Sequence, residues 1–474
     1  MPSRQDQLHS YQFSVQRVVA ALVMRETDPA QSPFRRVAGA TMAGAIVAVL
    51  ALAGAAVYGI FAGGSGDWQT EGQVIIDKDS GARYVYYKGD RKLHPVINYT
   101  SALLIADAAR PQVVTWSRSA IDKATFGAPM GIPGAPDSLP DAKHLARPPW
   151  TLCSQGAGDA SGGSGAANPQ SVLFVGGAAE VGQPLVPARA ASPGEGILVS
   201  TPDGRRYLVY DNRRHQLVQP DLVLQAFVWS TKPIVPVSPA LINALPAGPD
   251  LKPLSIEGRG ARSSALPGGR VGQVYKRANA GGAVQHAVVL ADGLAEITEA
   301  EADLLLADPE TPLGPRGRDN ELPGNSQVAP SRTRLAGSPP FAVPPTIRLT
   351  AGPVCASISD GKGASKVLVD AKLPDQSGAV TTQARTGSGA LLADRIVVSG
   401  RGALVEAVAS PGARSGALSI VSELGIRYPL ASRDLVTKLG YAGVTPTAMP
   451  AELVVLLPVG PALDPAEARQ RAGS

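Results

Sequence analysis

Two glycine-rich stretches are the first places where this sequence could hold chemistry. A nucleotide phosphate needs glycine backbone amides around it, a lysine, and a metal-holding Ser or Thr at fixed spacing. DGKGASK at 360–366 and GGSGAANPQS at 162–171 supply glycines without that spacing, and they read as a turn and a linker. Nucleophilic catalysis finds no Gly-x-Ser-x-Gly elbow, and neither Cys153 nor Cys355 has a histidine in a recognisable local pattern. His94 and His215 fall near the ends of short strands and read as turn or rim residues. His144 sits in a proline-rich loop, His286 opens a strand, and none pairs at metal-ligand spacing. Asp77/Asp79 and Glu299/Glu301 read as solvated turn and helix charges, with a bound cation at the first pair as the sharper alternative. The residues therefore predict no catalytic group, no metal and no cofactor.

What must be positioned is instead the chain itself. Residues 37–62 hold no Asp, Glu, Lys, Arg or His. At 1.5 Å per residue such a helix reaches roughly 39 Å, enough to cross a ~30 Å hydrocarbon core with some tilt. Arg4, Arg17, Arg25, Arg35 and Arg36 precede the run, and the first charges after it are Asp67, Glu71, Asp77, Lys78 and Asp79. Lys and Arg stay on the cytoplasmic side, so Arg35 and Arg36 set an inside N-terminus and place about four hundred residues outside. Beyond the anchor stand two cysteines, Cys153 and Cys355. In an oxidising compartment an even pair reads as a disulfide, with two free structural thiols as the alternative. Before the anchor, Leu8, Tyr11, Val15, Val18 and Leu22 recur at helical spacing, giving an amphipathic leader that could lie on the inner leaflet or dock on a cytoplasmic partner.

The 52 Gly and 42 Pro favour short strands and turns outside the membrane, and 5% aromatics with dispersed bases offer no nucleic-acid platform. Self-similarity organises the rest. Residues 74–105 and 197–228 share an apolar strand, an acid, Gly-x-x-Tyr (Gly81 to Tyr84, Gly204 to Tyr207), a second strand, a turn and a small helix. Residues 419–441 repeat the head of the unit with Gly425 and Tyr428, and 271–306 give a looser copy. Units this small must pack on something shared. The expected class is α+β: one N-terminal transmembrane helix, then an elongated extracytoplasmic body of four repeat modules around a central β-rich core. The divisions are a leader at 1–36, the anchor at 37–62, repeat one at 70–115 and a first core part at 116–185. Repeat two follows at 186–255, repeat three at 256–320, a linker at 321–345, a second core part at 346–412, and repeat four with the tail at 413–474. Each core part carries one cysteine.

These pieces together resemble EccB, the single-pass core component of the type VII (ESX) secretion machinery of actinobacteria. The matching residues are YQFSVQR and ALVMRETDP in the leader, DKDSGARYVYY with LHPVINYTSALL, RPPWTLC at 147–153, GPVCASI at 352–358, and the ending LLPVGPALDPAEA. The resemblance implies four modules around a central domain with a disulfide between Cys153 and Cys355. It implies assembly with EccC, EccD and EccE in the inner membrane, a mycosin protease nearby, and self-association through the outer body. Members are sometimes described as ATPases; the expected cofactor is none, with ATP admitted on that description alone.

Overall fold

The computed structural model describes residues 3–24, 33–61, 67–156, 168–179, 181–190, 192–278, 284–314, 317, 320–322, 328–333, 335–383 and 385–471. Two helices come first, Arg4–Met24 and Pro33–Phe61. Leu8, Tyr11, Val15, Val18 and Leu22 on the first are all exposed. Within the second, Ala38–Ala55 is long and apolar enough to span a bilayer and buries nothing against the rest of the chain. A greasy surface with no protein partner is what a lipid-facing helix presents.

The first module is a three-stranded meander, Gln73–Asp77, Arg83–Tyr87 and Lys92–Val96. The helix Tyr99–Ile105 then carries the chain back so that Gln112–Trp116 lies parallel to the first strand. Parallel neighbours need such a crossover, which explains the helix between them. The same order, third-second-first-fourth, recurs in the second module, Glu195–Ser200, Arg206–Tyr210, Arg213–Gln216, Val235–Pro236. It recurs again in the fourth, Gly402–Val408, Ala417–Ser422, Arg427–Pro429, Thr447–Pro450. The third keeps its meander, Val274–Ala278, Val284–Val289 and Leu294–Ile297, and reduces the fourth strand to one parallel bridge between Lys276 and Glu321.

Each unit is longer than its sequence signature. After the fourth strand an extended segment returns beside the third, pairing Phe126 with Leu93, Ala247 with Arg214, Pro330 with Leu294 and Val459 with Arg427. The structure therefore divides the chain differently from the sequence reading. Residues 118–130, read as core, close the first module; 320–331, read mainly as linker, close the third; and Gly402–Val408, read as core, opens the fourth. Gly425 and Tyr428 are out of register with their expected counterparts. Tyr84 and Tyr207 ride the second strands of their modules, whereas Tyr428 rides a third strand. The cause is that a left-handed glycine closes the first hairpin of modules one and two (Gly81 φ 71°, Gly204 φ 82°) and the second hairpin of the fourth (Gly425 φ 72°), so one short motif fits either turn.

Both insertions supply the central sheet. Its seven strands run Val380–Thr381, Arg395–Val398, Gln170–Val175, Trp150–Gln155, Val354–Asp360, Gly363–Lys372, Val181–Pro184. Trp150–Gln155 is buried at every position. Trp150, Leu152 and Leu173 on one face share a core with Ile197, Val209 and Leu241 of the second module and Val405, Val421 and Leu453 of the fourth. On the opposite face Cys153 and Cys355 lie among Val172, Phe174 and Leu368. A further shared core joins the first module to the fourth through Val74, Leu104, Ile420 and Leu435. Another joins the second to the helix Glu299–Ala307 of the third through Leu208, Val223 and Leu304. Contact order along the body is thus first, fourth, central sheet, second, third.

Candidate functional site: the joints between modules

The cysteines occupy directly opposed positions on adjacent antiparallel strands, and their sulfurs are bonded. They are fully buried and 202 residues apart in sequence. The bond staples one insertion to the other inside the sheet on which the second and fourth modules rest. The residues 360–366, considered for phosphate binding, form the hairpin joining two strands of that sheet, where Asp360 Oδ1 accepts from the Lys362 amide at 2.8 Å. The hairpin is wedged between modules. A Cβ on Gly361 would stand 2.5 Å from Val408 Cγ2 of the fourth module, and one on Gly363 (φ +107°) 2.6 Å from Pro246 Cγ of the second. The glycines serve close approach. Of the other stretch, 162–167 lies outside the described residues and Gln170–Val175 is a central strand.

His94 and His215 are not rim residues: they are 2% and 1% exposed. Each is the second residue of the pairing between third strand and closing segment, and each ring presses on a glycine. A Cβ on Gly127 or Gly248 would fall 2.1 Å from the Cε1 of its histidine. His94 Nδ1 lies 2.7 Å from Ala128 O and its Nε2 3.0 Å from Asp90 Oδ1. His215 Nδ1 lies 2.9 Å from Pro249 O. A carbonyl only accepts, so Nδ1 carries the proton in the neutral His215 ring. Nε2 of His215 is buried with no partner among the described residues, and burial lowers its pKa. The fourth module puts Tyr428 against Gly460, where a Cβ would meet Cε1 at 2.4 Å. The third puts Ala295 against Ser331. Ring faces glycine, small residue faces serine. Sequence reading missed this pairing, although GAP at 127–129 and GPD at 248–250 marked it.

The acids also fold into the scaffold. Asp77 is buried, accepting from Ser80 Oγ at 2.6 Å and the Asp79 amide at 3.0 Å, and the Ser80 bond chiefly lowers its pKa. Glu301, expected to be solvated, is 7% exposed and completes a capping box with Thr298 on the helix Glu299–Ala307. Among the described residues no three His, Cys, Asp or Glu side chains are grouped to hold a metal. Burial and the nearby Glu299 raise Asp303 on that helix to about 6. Tyr84 accepts from Arg118 Nη1 at 3.2 Å, Tyr207 packs into the core on the central sheet, and Tyr428 into the joint of modules one and four. The motif residues are thus spread over three modules and meet at no common point. Arg35 and Arg36 lie in the first turn of the apolar helix.

Among the described residues, one helix long and apolar enough to span a bilayer leads into a row of modules locked through shared cores and a buried disulfide, the build of a membrane-anchored structural subunit. Residues 1–474 match the family model described as "Type VII secretion system ESX-1, transport TM domain B". ESX-1 secretion system ATPase EccB1 of Mycolicibacterium smegmatis (strain MKD8) is 30% identical over 470 residues, 96% of this chain and 92% of that protein. ESX-3 secretion system ATPase EccB3 of Mycolicibacterium smegmatis (strain ATCC 700084 / mc(2)155) is 28% identical, covering 98% and 89%. Among solved structures, a chain of an intact ESX-5 inner membrane complex superposes with a TM-score of 0.62 at 22% identity, over 100% of this chain and 96% of that one. The EccB3 dimer from the ESX-3 core complex superposes at 0.60 with 26% identity, covering 84% and 99%. The chain belongs to the EccB family and is a structural subunit of the type VII secretion system in the inner membrane.

Proposed function

We propose that the chain's work is assembly without catalysis. The basic leader stays in the cytoplasm, the apolar helix anchors the chain, and the stapled row of modules stands outside as a rigid strut. On this reading the leader docks on EccC, EccD and EccE, the outer body pairs with further copies of the chain, and a mycosin protease sits beside it. The observation that carries the reading is a succession of separate buried cores, each shared between neighbouring parts, that links the first module to the fourth, the fourth and second to the central sheet, and the second to the third. Such a body transmits position well and leaves little freedom for a catalytic cycle. Against ATP hydrolysis, named for the relatives, stands the crowding of the 360–366 turn, where Val408 and Pro246 fill the space beside Gly361 and Gly363. Isolation in mild detergent of full-length chain and of a chain lacking residues 1–30 tests this. The full chain should bring down membrane subunits and the shortened one should lose them; equal recovery refutes the docking role. Specific ATP turnover by the purified complex that Lys362→Ala abolishes would refute the absence of catalysis.

A further inference from the structure

Where the 360–363 turn wedges between the second and fourth modules it leaves a cleft of about 280 Å³. Three cations line it: Arg213 and Arg214 from the third strand of the second module, and Lys362 from the turn. One carboxylate, Glu452, lies on the far wall. Among the described residues none of the three cations forms an ion pair. Arg214 Nη1 donates to Ile242 O at 2.9 Å and Asn243 Oδ1 at 3.0 Å, and Arg213 Nη1 to Ala247 O at 3.4 Å, so both guanidinium groups are held toward the joint by neutral oxygens. Like charges gathered in a concavity repel one another and raise the local positive potential, and an incoming anion relieves both. Beside Asn243 and Ser410, the accessible part of the remaining wall is apolar, with Pro246, Ala409 and Pro411 in it. A bare inorganic anion would leave that wall wet. An extended chain with carboxylates flanking an aliphatic side chain would cover it.

We propose that this cleft docks an acidic peptide segment with an aliphatic anchor: its carboxylates meet Arg213 and Lys362, and its anchor lies on Pro246, Ala409 and Pro411. Because the walls come from two modules and the central hairpin, an occupant also braces the joint.

The test is fluorescence anisotropy with the full-length chain in detergent and a labelled hexapeptide, Glu-Leu-Asp-Glu-Leu-Asp. Its lysine counterpart Lys-Leu-Lys-Lys-Leu-Lys serves as the opposite probe. The acidic peptide should bind and the basic one should not. Arg213→Glu and Lys362→Glu should each weaken binding about tenfold or more, while Lys232→Glu leaves it unchanged. Melting curves matching the parent verify that the variants are folded. No binding of the acidic peptide, or binding indifferent to both reversals, overturns the proposal. Displacement of the peptide by an equal concentration of inorganic phosphate also overturns it, in favour of a small-anion site.

Discussion

The closing segments of the modules share one pattern and end in different surroundings. Aligned on the glycine that faces the third strand, 238–249 reads SPALINALPAGP, 450–461 reads PAELVVLLPVGP and 117–128 reads SRSAIDKATFGA. Leu241, Ala244 and Leu245 of the second module and Leu453, Leu456 and Leu457 of the fourth are buried in the core they share with the central sheet. The matching residues of the first module are Ala120, Lys123 and Ala124. Ala124 turns into that module's own small core, Ala120 packs at its edge, and Lys123 is exposed. The backbone plan is common, so docking on the central sheet is a property of two or three side chains. Leu and Ala there supply apolar area worth about 25 cal/mol per Å² buried, and Lys supplies a charge that must stay wet.

The largest test removes the staple under both docked modules. Cys153→Ser should cost on the order of 5 kcal/mol in the chain-entropy model for a loop of this length. Hydrogen exchange should then rise in the second and fourth modules together and little in the first. Equal melting of parent and variant without reductant would contradict the bond. Next comes the seam itself: Leu453→Ala should cost about 2–5 kcal/mol, against less than ~0.5 for Lys123→Ala at a neighbouring place in the first module. Comparable losses in denaturant unfolding would erase the distinction between docked and undocked modules. A third, smaller effect is steric. Gly127→Ala should cost roughly 1–3 kcal/mol by driving a Cβ into the His94 ring, and adding His94→Ala should recover part of it, imitating the small pair of the third module. A double variant no more stable than Gly127→Ala alone would break the analogy. The smallest concerns the third module, where the Asp303 carboxyl sits at about 6 against an ordinary 3.8. A carboxyl raised in the folded state favours folding when protonated, so its contribution is full below pH 4 and lost as pH rises through 6. Asp303→Asn should therefore melt higher than the parent at pH 7.5 and about level with it at pH 4; an equal gain at both would rule out titration as the cause.

The anchor, the repeat heads and the β-rich character of both insertions were legible in the sequence, because runs of uncharged residues and Gly-x-x-Tyr turns are local signals. The closing segments were not. Their partner strand lies about thirty residues upstream, and the bonds that hold them are backbone bonds, which leave little trace in side-chain pattern. Extended apolar pieces such as LLPVGPAL look like a tail until the third strand beside them is known. His94 and His215 were misjudged for a related reason. A histidine at the end of a short polar strand looks exposed, and only the glycine folding over it from the closing segment makes it interior. Gly425 and Tyr428 show the opposite hazard, a true local signal assigned to the wrong hairpin.

Residues 465–471 cover part of the first module. The helix Pro465–Ala468 and the strand beside Tyr428 belong to the same buried cluster as Leu103 and Leu104, and Arg471 pairs with Met130. The ribosome makes the first module well before this cover. Until residues 463–471 emerge, the helix Tyr99–Ile105 therefore waits with an apolar flank uncovered, a surface open to mispairing during synthesis.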